Sequence, residues 1–254
     1  MITVDFRRLT IKTGHRVLDI GCGTGRHMAE TVRRPETLTV GTDINEEDLL
    51  GARQRLVDLD KLGVVRGAWR LGMADITALP FTDAAFDLVI CSEVLEHIPD
   101  HQGAVAELVR VLKPGGDLVI SVPCYFPEKI CWTLSKAYRS TPGGHIRIYG
   151  HQEIQHLITA STIKLQGRHY AHSLHVPYWW LKCLLGLDRT DLFLVNVYHR
   201  FLVWDMMQHP RATRFLERLL NSVMGKSLVV YGKKIIPNPS PSQVSILETG
   251  CRHI

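Results

Sequence analysis

The chain has 254 residues, 45% of them hydrophobic, which suits one large α/β domain with a full core. Its net charge of +5 comes from scattered pairs such as Arg7-Arg8, Arg33-Arg34 and Lys233-Lys234, without the basic run of a nucleic-acid-binding surface. Six cysteines without Cys-x-x-Cys spacing argue against a zinc knuckle or disulfide framework, and no uncharged apolar segment reaches the roughly 18 residues of a membrane span or forms a signal-peptide core.

The first element is the stretch from Arg16 to Gly25. Arg16–Ile20 is a short apolar run interrupted by Asp19, ending in Gly21, Gly23 and Gly25 before an amphipathic segment from Arg26 to Arg33. This predicts strand, tight turn and helix, with glycines letting a ligand approach the backbone. A dinucleotide fingerprint needs its third glycine at position 26, which is Arg26. The carboxylate of Asp19 would repel a pyrophosphate but attract an ammonium or a sulfonium.

Leu38–Thr42 predicts a second strand closed by Asp43 and Ile44, and Asn45 caps a helix with Glu46, Glu47 and Asp48 in its first turn and Gly63 at its end. Asp43 stands at a strand's carboxyl end, where both hydroxyls of a ribose can be bound. Ala68–Met73 predicts the third strand, followed by Asp75-Ile76 and Leu79-Pro80-Phe81. Phe86–Cys91 predicts a central strand buried on both faces. It runs into Ser92-Glu93-Val94-Leu95-Glu96-His97-Ile98. A helix carrying Ala104, Val105, Leu108, Val109 and Leu112 then leads through Lys113-Pro114-Gly115-Gly116 to a fifth strand, Asp117–Val122. Strand and helix alternate five times, which implies right-handed crossovers and a parallel sheet covered on both faces.

The motifs in register from Val17 to Val122 resemble those of class I S-adenosylmethionine-dependent methyltransferases, of the small-molecule type found in quinone biosynthesis (methyltransferase type 11). The resemblance implies a Rossmann-like, doubly wound, seven-stranded sheet, mostly parallel with strand 7 antiparallel beside strand 5. It implies S-adenosylmethionine as cofactor. Asp19 would neutralise the methionyl ammonium, Gly21, Cys22, Gly23 and Gly25 would admit the cofactor's backbone, Asp43 and Ile44 would take the ribose end, Asp75 and Ile76 the adenine, and Ser92 would stand near the reacting methyl group.

Beyond Val122 the expected elements are a helix from His151 or Gln152 to Ala160, strand six at Lys164–Ala171 and strand seven at Ser227–Lys233. Two segments exceed ordinary connections: Pro123–Gly150, and a helical insertion at about 175–223 between strands six and seven. With little chain before strand one to form a lid, these two insertions are expected to close the acceptor pocket. Residues 1–235 are read as the methyltransferase domain and 236–254, rich in proline and serine, as a disordered tail.

His145, His97 and Glu93 are the candidate catalytic residues: His97 and Glu93 follow strand four at the sheet edge where ligands bind, and His145 is flanked by glycines in the first insertion. His169, His172 and His175 alternate across a strand rather than converge, so no metal is expected. The apolar cluster Tyr178-Trp179-Trp180, with His145, Arg147 and Tyr149, suggests a pocket for a small or lipid-like acceptor with a large apolar part, methylated on oxygen. On Leu192–Trp204, Asn196, His199 and Arg200 share one helical face and leave a broad apolar face, open to readings as a sheet cap, a dimer face or a membrane-surface contact. The alternatives are an S-adenosylmethionine-binding interaction module without turnover, and an NAD-dependent oxidoreductase. A cytoplasmic protein is expected, and the oligomeric state is left open.

Overall fold

The computed structural model describes residues 2–189 and 192–236. The tail expected to be disordered therefore lies outside the described residues except for Ile236, which is exposed. Seven strands form one sheet: β1 (Arg16–Ile20), β2 (Leu38–Asp43), β3 (Ala68–Met73), β4 (Phe86–Ser92), β5 (Leu112–Pro123), β6 (Ile163–Ala171) and β7 (Ser227–Lys234). Their order is β3-β2-β1-β4-β5-β7-β6, with parallel pairing throughout except that β7 runs antiparallel to both β5 and β6. The expected doubly wound sheet is the one observed.

Alternation within strands divides the core. Leu18, Ile20, Val89, Cys91, Leu118 and Ile120 face one side, where α3 (His101–Val111) and α6 (His151–Thr159) contribute Leu108, Ile154 and Ile158. Val17, Leu88, Ile90 and Val119 face the other and bury Val4 and Tyr231. Each such aliphatic side chain contributes about 1.5–3 kcal/mol on burial, so the central strands are the rigid part of the molecule.

The chain folds back from β1 to β2 through α1 (Met28–Thr31), much shorter than the amphipathic segment suggested, because the glycine turn occupies the chain up to His27. Asn45 caps α2 (Glu46–Lys61) by accepting from Glu47 N and Asp48 N, and Gly63 ends it at φ +67°. Between β3 and β4 there is no helix among the described residues: 74–85 cross in turns, so the third of the five expected alternations fails. The first long connection contains α4 (Tyr125–Leu134) and α5 (Lys136–Arg139), and the second contains α7 (Val176–Leu185), α8 (Phe193–Gln208) and α9 (Arg211–Met224). α8 packs on α7, with Tyr178 stacked on Tyr198 at 6.4 Å, and is not a cap on the sheet. Its buried residues are Val195, Leu202 and Asp205, while Phe193, Leu194 and Met207 stay exposed beside Asn196, His199 and Arg200. No helix among the described residues is long and apolar enough to cross a membrane.

The capping bonds of Asn45 hold the start of α2 next to Asp43. Asn45→Ala is expected to lower stability by about 1 kcal/mol, read as a lower urea midpoint with an unchanged slope.

Candidate active site

The sheet order changes direction between β1 and β4, and ligands of open α/β sheets bind at the strands' carboxyl ends at such a point. There the structure has a cleft of about 920 Å³. Gly21, Cys22, Gly23, Asp43 and Ile44 form one side of it, Asp75, Ile76 and Ser92 continue the wall, and Glu93, His97 and His145 stand at the other end. Asp19 and Gly25 are not part of the wall.

The turn after β1 depends on Gly21. Its φ is +62°, and a Cβ there would meet Val94 Cγ2 at 2.3 Å, so neither the conformation nor the space admits a side chain. Gly23 N donates to Asp43 Oδ2 at 2.8 Å, and Asn45 N donates to Asp43 Oδ1 at 3.0 Å. Both oxygens are thereby oriented and keep lone pairs for ligand hydroxyls. Ile44 is 70% exposed, an apolar side chain held in the cleft without protein packing. Asp75 accepts from Thr77 N and Thr77 Oγ1 at 2.8 Å, both at Oδ1, and these bonds hold its carboxyl below the usual range.

Asp19 is 1% exposed and neither carboxylate oxygen closes a hydrogen bond. Burial, then the charge of Asp43, pushes its pKa up to about 7; Arg26 pulls the other way without cancelling the effect. The nearest imidazole, His27, has Nδ1 at 3.9 Å from Oδ1, but burial and the charge of Arg26 push its pKa down to about 4, so it is neutral. Its Nε2 accepts from Thr3 N at 3.2 Å, which puts the ring proton on the side facing Asp19. Thus a carboxylate beside the glycine turn lacks a cation. The donors in the cleft would suit S-adenosylmethionine, with Asp43 oriented for the ribose and the ionised Asp75 with apolar side chains for the adenine, while Asp19 lies buried just behind the wall on the side where an ammonium would sit.

At the other end of the cleft, Glu93 takes a left-handed conformation at φ +58°, costly for a residue with a side chain, and accepts from Ser121 Oγ at 2.9 Å. His97 Nδ1 donates to Gly144 O at 3.1 Å, and His145 Nδ1 donates to Glu128 Oε1 at 2.6 Å. A carbonyl and a carboxylate can only accept, so both rings carry their proton on Nδ1 and present Nε2 as a lone pair when neutral. Glu128, in the first turn of α4, and Glu96, wholly buried next to His97, were not singled out by sequence reasoning. The signal available for Glu96 was an acid inside an otherwise apolar Val94-Leu95-Glu96 run; for Glu128, 17 residues from His145, there was none.

Other expected pocket residues lie elsewhere. Arg147 donates to Ile98 O and Pro99 O at 2.5 and 2.9 Å, and Tyr149, 1% exposed, donates to Leu95 O at 3.2 Å; both clamp the loop after β4 and neither lines the cleft. Trp180 donates to Pro127 O at 3.1 Å and packs on Phe126, and Trp179 packs on Tyr138. The pair therefore fastens α7 to the first insertion, because each ring finds a complementary aromatic there. Nor does any described residue of the 175–223 insertion line the cleft. Its wall includes Gly143 and His145 from the first insertion, His172 and Lys226 from just outside the second, and Thr3 from before β1. Of the three histidines near β6, His169 bonds Thr3 O at 3.2 Å, away from His172 and His175.

Residues 18–120 match the family model described as a methyltransferase domain. The chain carries a class I S-adenosylmethionine-dependent methyltransferase domain. It is 33% identical over 116 residues to the methyltransferase GfsG of Streptomyces halstedii, covering 46% of this chain and 40% of that one. It is 37% identical over 130 residues to the ubiquinone/menaquinone biosynthesis C-methyltransferase UbiE of Pasteurella multocida, covering 50% of this chain and 46% of that one. The matched region thus spans less than half the length of these curated relatives. Among solved structures, the [4+2]-cyclase SpnF shares the fold with a TM-score of 0.59 at 18% identity, over 91% of this chain and 78% of that one. The match makes S-adenosylmethionine, rather than a nicotinamide, the domain's cofactor.

The placement of Trp180 gives a direct check. Trp180→Ala is expected to lower stability by about 2 kcal/mol, as loss of a half-buried aromatic does, while leaving the affinity for S-adenosylhomocysteine within twofold by calorimetry.

Proposed function

We propose that the chain transfers a methyl group from S-adenosylmethionine to an oxygen of a small acceptor that enters the cleft at the His97–His145 end. The observation that carries this reading is the polarity of the cleft. One end has the acids that suit the cofactor, and the other presents two imidazole lone pairs and Glu93. When bound, S-adenosylmethionine supplies a methyl group on a positively charged sulfur. The chain's own part is alignment, exclusion of water and management of the acceptor's proton. A carbon or an amine nucleophile that is already electron-rich needs little help, whereas a hydroxyl must lose its proton as its oxygen attacks. Basic atoms fixed at the acceptor end support oxygen over carbon, although the UbiE relative is by name a C-methyltransferase.

For the acceptor's size and polarity the support is divided. Val94 and Ile98 give the acceptor end apolar surface, which favours a compound with an apolar part. The tryptophans of α7 no longer contribute to that argument. Exposed apolar residues of α8 favour, as a second reading, an interaction module that binds the cofactor and a partner without turnover.

Turnover separates the two. Incubated with methyl-labelled S-adenosylmethionine and fractionated small-molecule extract, the chain is expected to label a product whose new methyl is an ether or ester; cofactor binding without any labelled product would support the module. Asp43→Ala is expected to weaken cofactor binding by about 1–3 kcal/mol, through loss of its charged hydrogen bonds, and to reduce turnover at low cofactor concentration. Unchanged affinity would remove Asp43 from the site.

A further inference from the structure

Glu96 lies between the two imidazoles at the acceptor end. It is 0% exposed, and neither of its carboxylate oxygens has a hydrogen-bond partner, an arrangement that costs several kcal/mol for an ionised group unless something compensates it. His97 Nε2 is 3.9 Å from Glu96 Oε1, and His145 Nε2 is 4.0 Å from the same atom. These separations are too long for hydrogen bonds. Two bonds of roughly 2.0–2.2 Å at a tetrahedral angle place their ligand atoms roughly 3.4 Å apart, so a movement of about half an ångström by each ring brings both onto a common ion with the carboxylate. One ligand atom from each of the three residues lies within 4.8 Å of the others.

The surrounding bonds are those of a metal site. Each ring is held from its far side, His145 by the Glu128 carboxylate and His97 by the Gly144 carbonyl, which fixes the tautomer and turns Nε2 towards Glu96. Such outer partners raise the basicity of a ligating imidazole. Burial, then the charge of Glu93, pushes the Glu96 pKa well above the usual carboxylate range, and of the other charges around it Glu93 and Glu128 outnumber Lys226. The second group of this kind, His172, His175 and Glu217, is less suited: Arg214 already bonds Glu217 at 2.9 Å, and its guanidinium would repel a cation.

We propose that Glu96, His97 and His145 bind a divalent transition-metal ion of the zinc type, with a coordination position open to the cleft. Two imidazoles and one carboxylate are a donor set that zinc uses in catalytic sites, where the fourth position takes water or substrate. His97 and His145 line the cleft, so that position faces the acceptor. The ion's role there rests on the methyl-transfer reading: taking up the two imidazole lone pairs, it would replace them as the means of activating the acceptor, holding its oxygen and making its hydroxyl more acidic, the proton passing to water before the C–O bond forms and the C–S bond breaks. The ion's binding does not rest on that reading. Sequence reasoning weighed for metal only the histidines near β6 and expected none because they alternate across a strand; Glu96, His97 and His145 come from two distant segments that only the fold brings together.

The test uses the tag-free full chain, stripped with a chelator and dialysed against Zn²⁺ at low micromolar concentration, with bound metal counted by elemental analysis. The expected result is one Zn²⁺ per chain. Glu96→Gln and His145→Ala should each weaken its binding by more than tenfold, Glu128→Gln by about 10–100-fold, and His172→Ala not at all. Co²⁺ loaded into the wild-type chain should give the visible absorption of a four- or five-coordinate nitrogen–oxygen site, removed by adding Zn²⁺, which keeps the test valid if a variant fails to fold. Well under one ion per chain, uptake indifferent to the Glu96 and His145 changes, or loss confined to His172→Ala would overturn the proposal. Zn²⁺ bound as expected by a chain that transfers no methyl group would leave the ion in place and remove the methyl-transfer reading instead.

Discussion

A carboxylate in the sheet without a partner, Asp19, is the constraint on which the cofactor end depends. Burial disfavours its charge, the charge of Arg26 offsets this only in part, and the adjacent His27 is buried too and stays neutral. The sign of the consequence follows from the raised pKa. The folded chain holds a proton on Asp19 where the unfolded chain has lost it, so without ligand this group's contribution to stability falls as pH rises from about 3.8 to about 7. A ligand ammonium beside it would reverse this by giving the charge a partner. The neighbouring elements agree with that use: Gly21 brings the backbone close to the cleft, Gly23 N orients Asp43, and Asn45 fixes the helix start behind it.

The sheet supplies the geometry. β1 and β4 lie side by side with Ile20 opposite Cys91, so the glycine turn and the Ser92–Ile98 segment leave the sheet at the same edge. The first insertion completes the other end. α4 carries Glu128, the loop after α5 carries His145, and Arg147 and Tyr149 tie this loop to the backbone of residues 95–99. That clamp keeps His145 facing His97, with ring centroids 5.0 Å apart. Through Gly143 and His145 this insertion forms part of the cleft wall, and the 175–223 helices stand behind the cleft, Trp180 bonding Pro127, Trp179 lying under Lys226 and Glu217 facing His172.

What could be read from the sequence was what local pattern determines. Strand alternation gave β1 to β7 to within a residue or two at most ends, and Asn45 and Gly63 marked α2 because capping is set by a few neighbouring residues. β5 is the exception: it begins at Leu112, because Phe86 pairs with Leu112 and Leu88 with Asp117 across an irregularity that the Lys113–Gly116 turn signal concealed. Asp19, Asp43 and Asp75 stood out through their place in motifs, and of these Asp43 and Asp75 line the cleft while Asp19 lies buried behind it. The partners of His145 and His97 were not, since Glu128 and Gly144 are 17 and 47 residues away from them and only the folded loop brings each pair together. Aromatic residues in Tyr178-Trp179-Trp180 misled for a related reason: apolar composition does not distinguish a surface that holds a ligand from one that holds another helix.

The most direct measurement of the account is the proton balance of cofactor binding. Calorimetric titration with S-adenosylhomocysteine, in buffers of different ionisation enthalpy at a pH below the Asp19 value of about 7, counts protons released on binding. If the ligand's ammonium pairs with Asp19, the wild-type chain releases a proton from that carboxyl and Asp19→Asn releases none. Binding without proton release in the wild type, or release undiminished in Asp19→Asn, would contradict the pairing and with it the role assigned to the buried carboxylate.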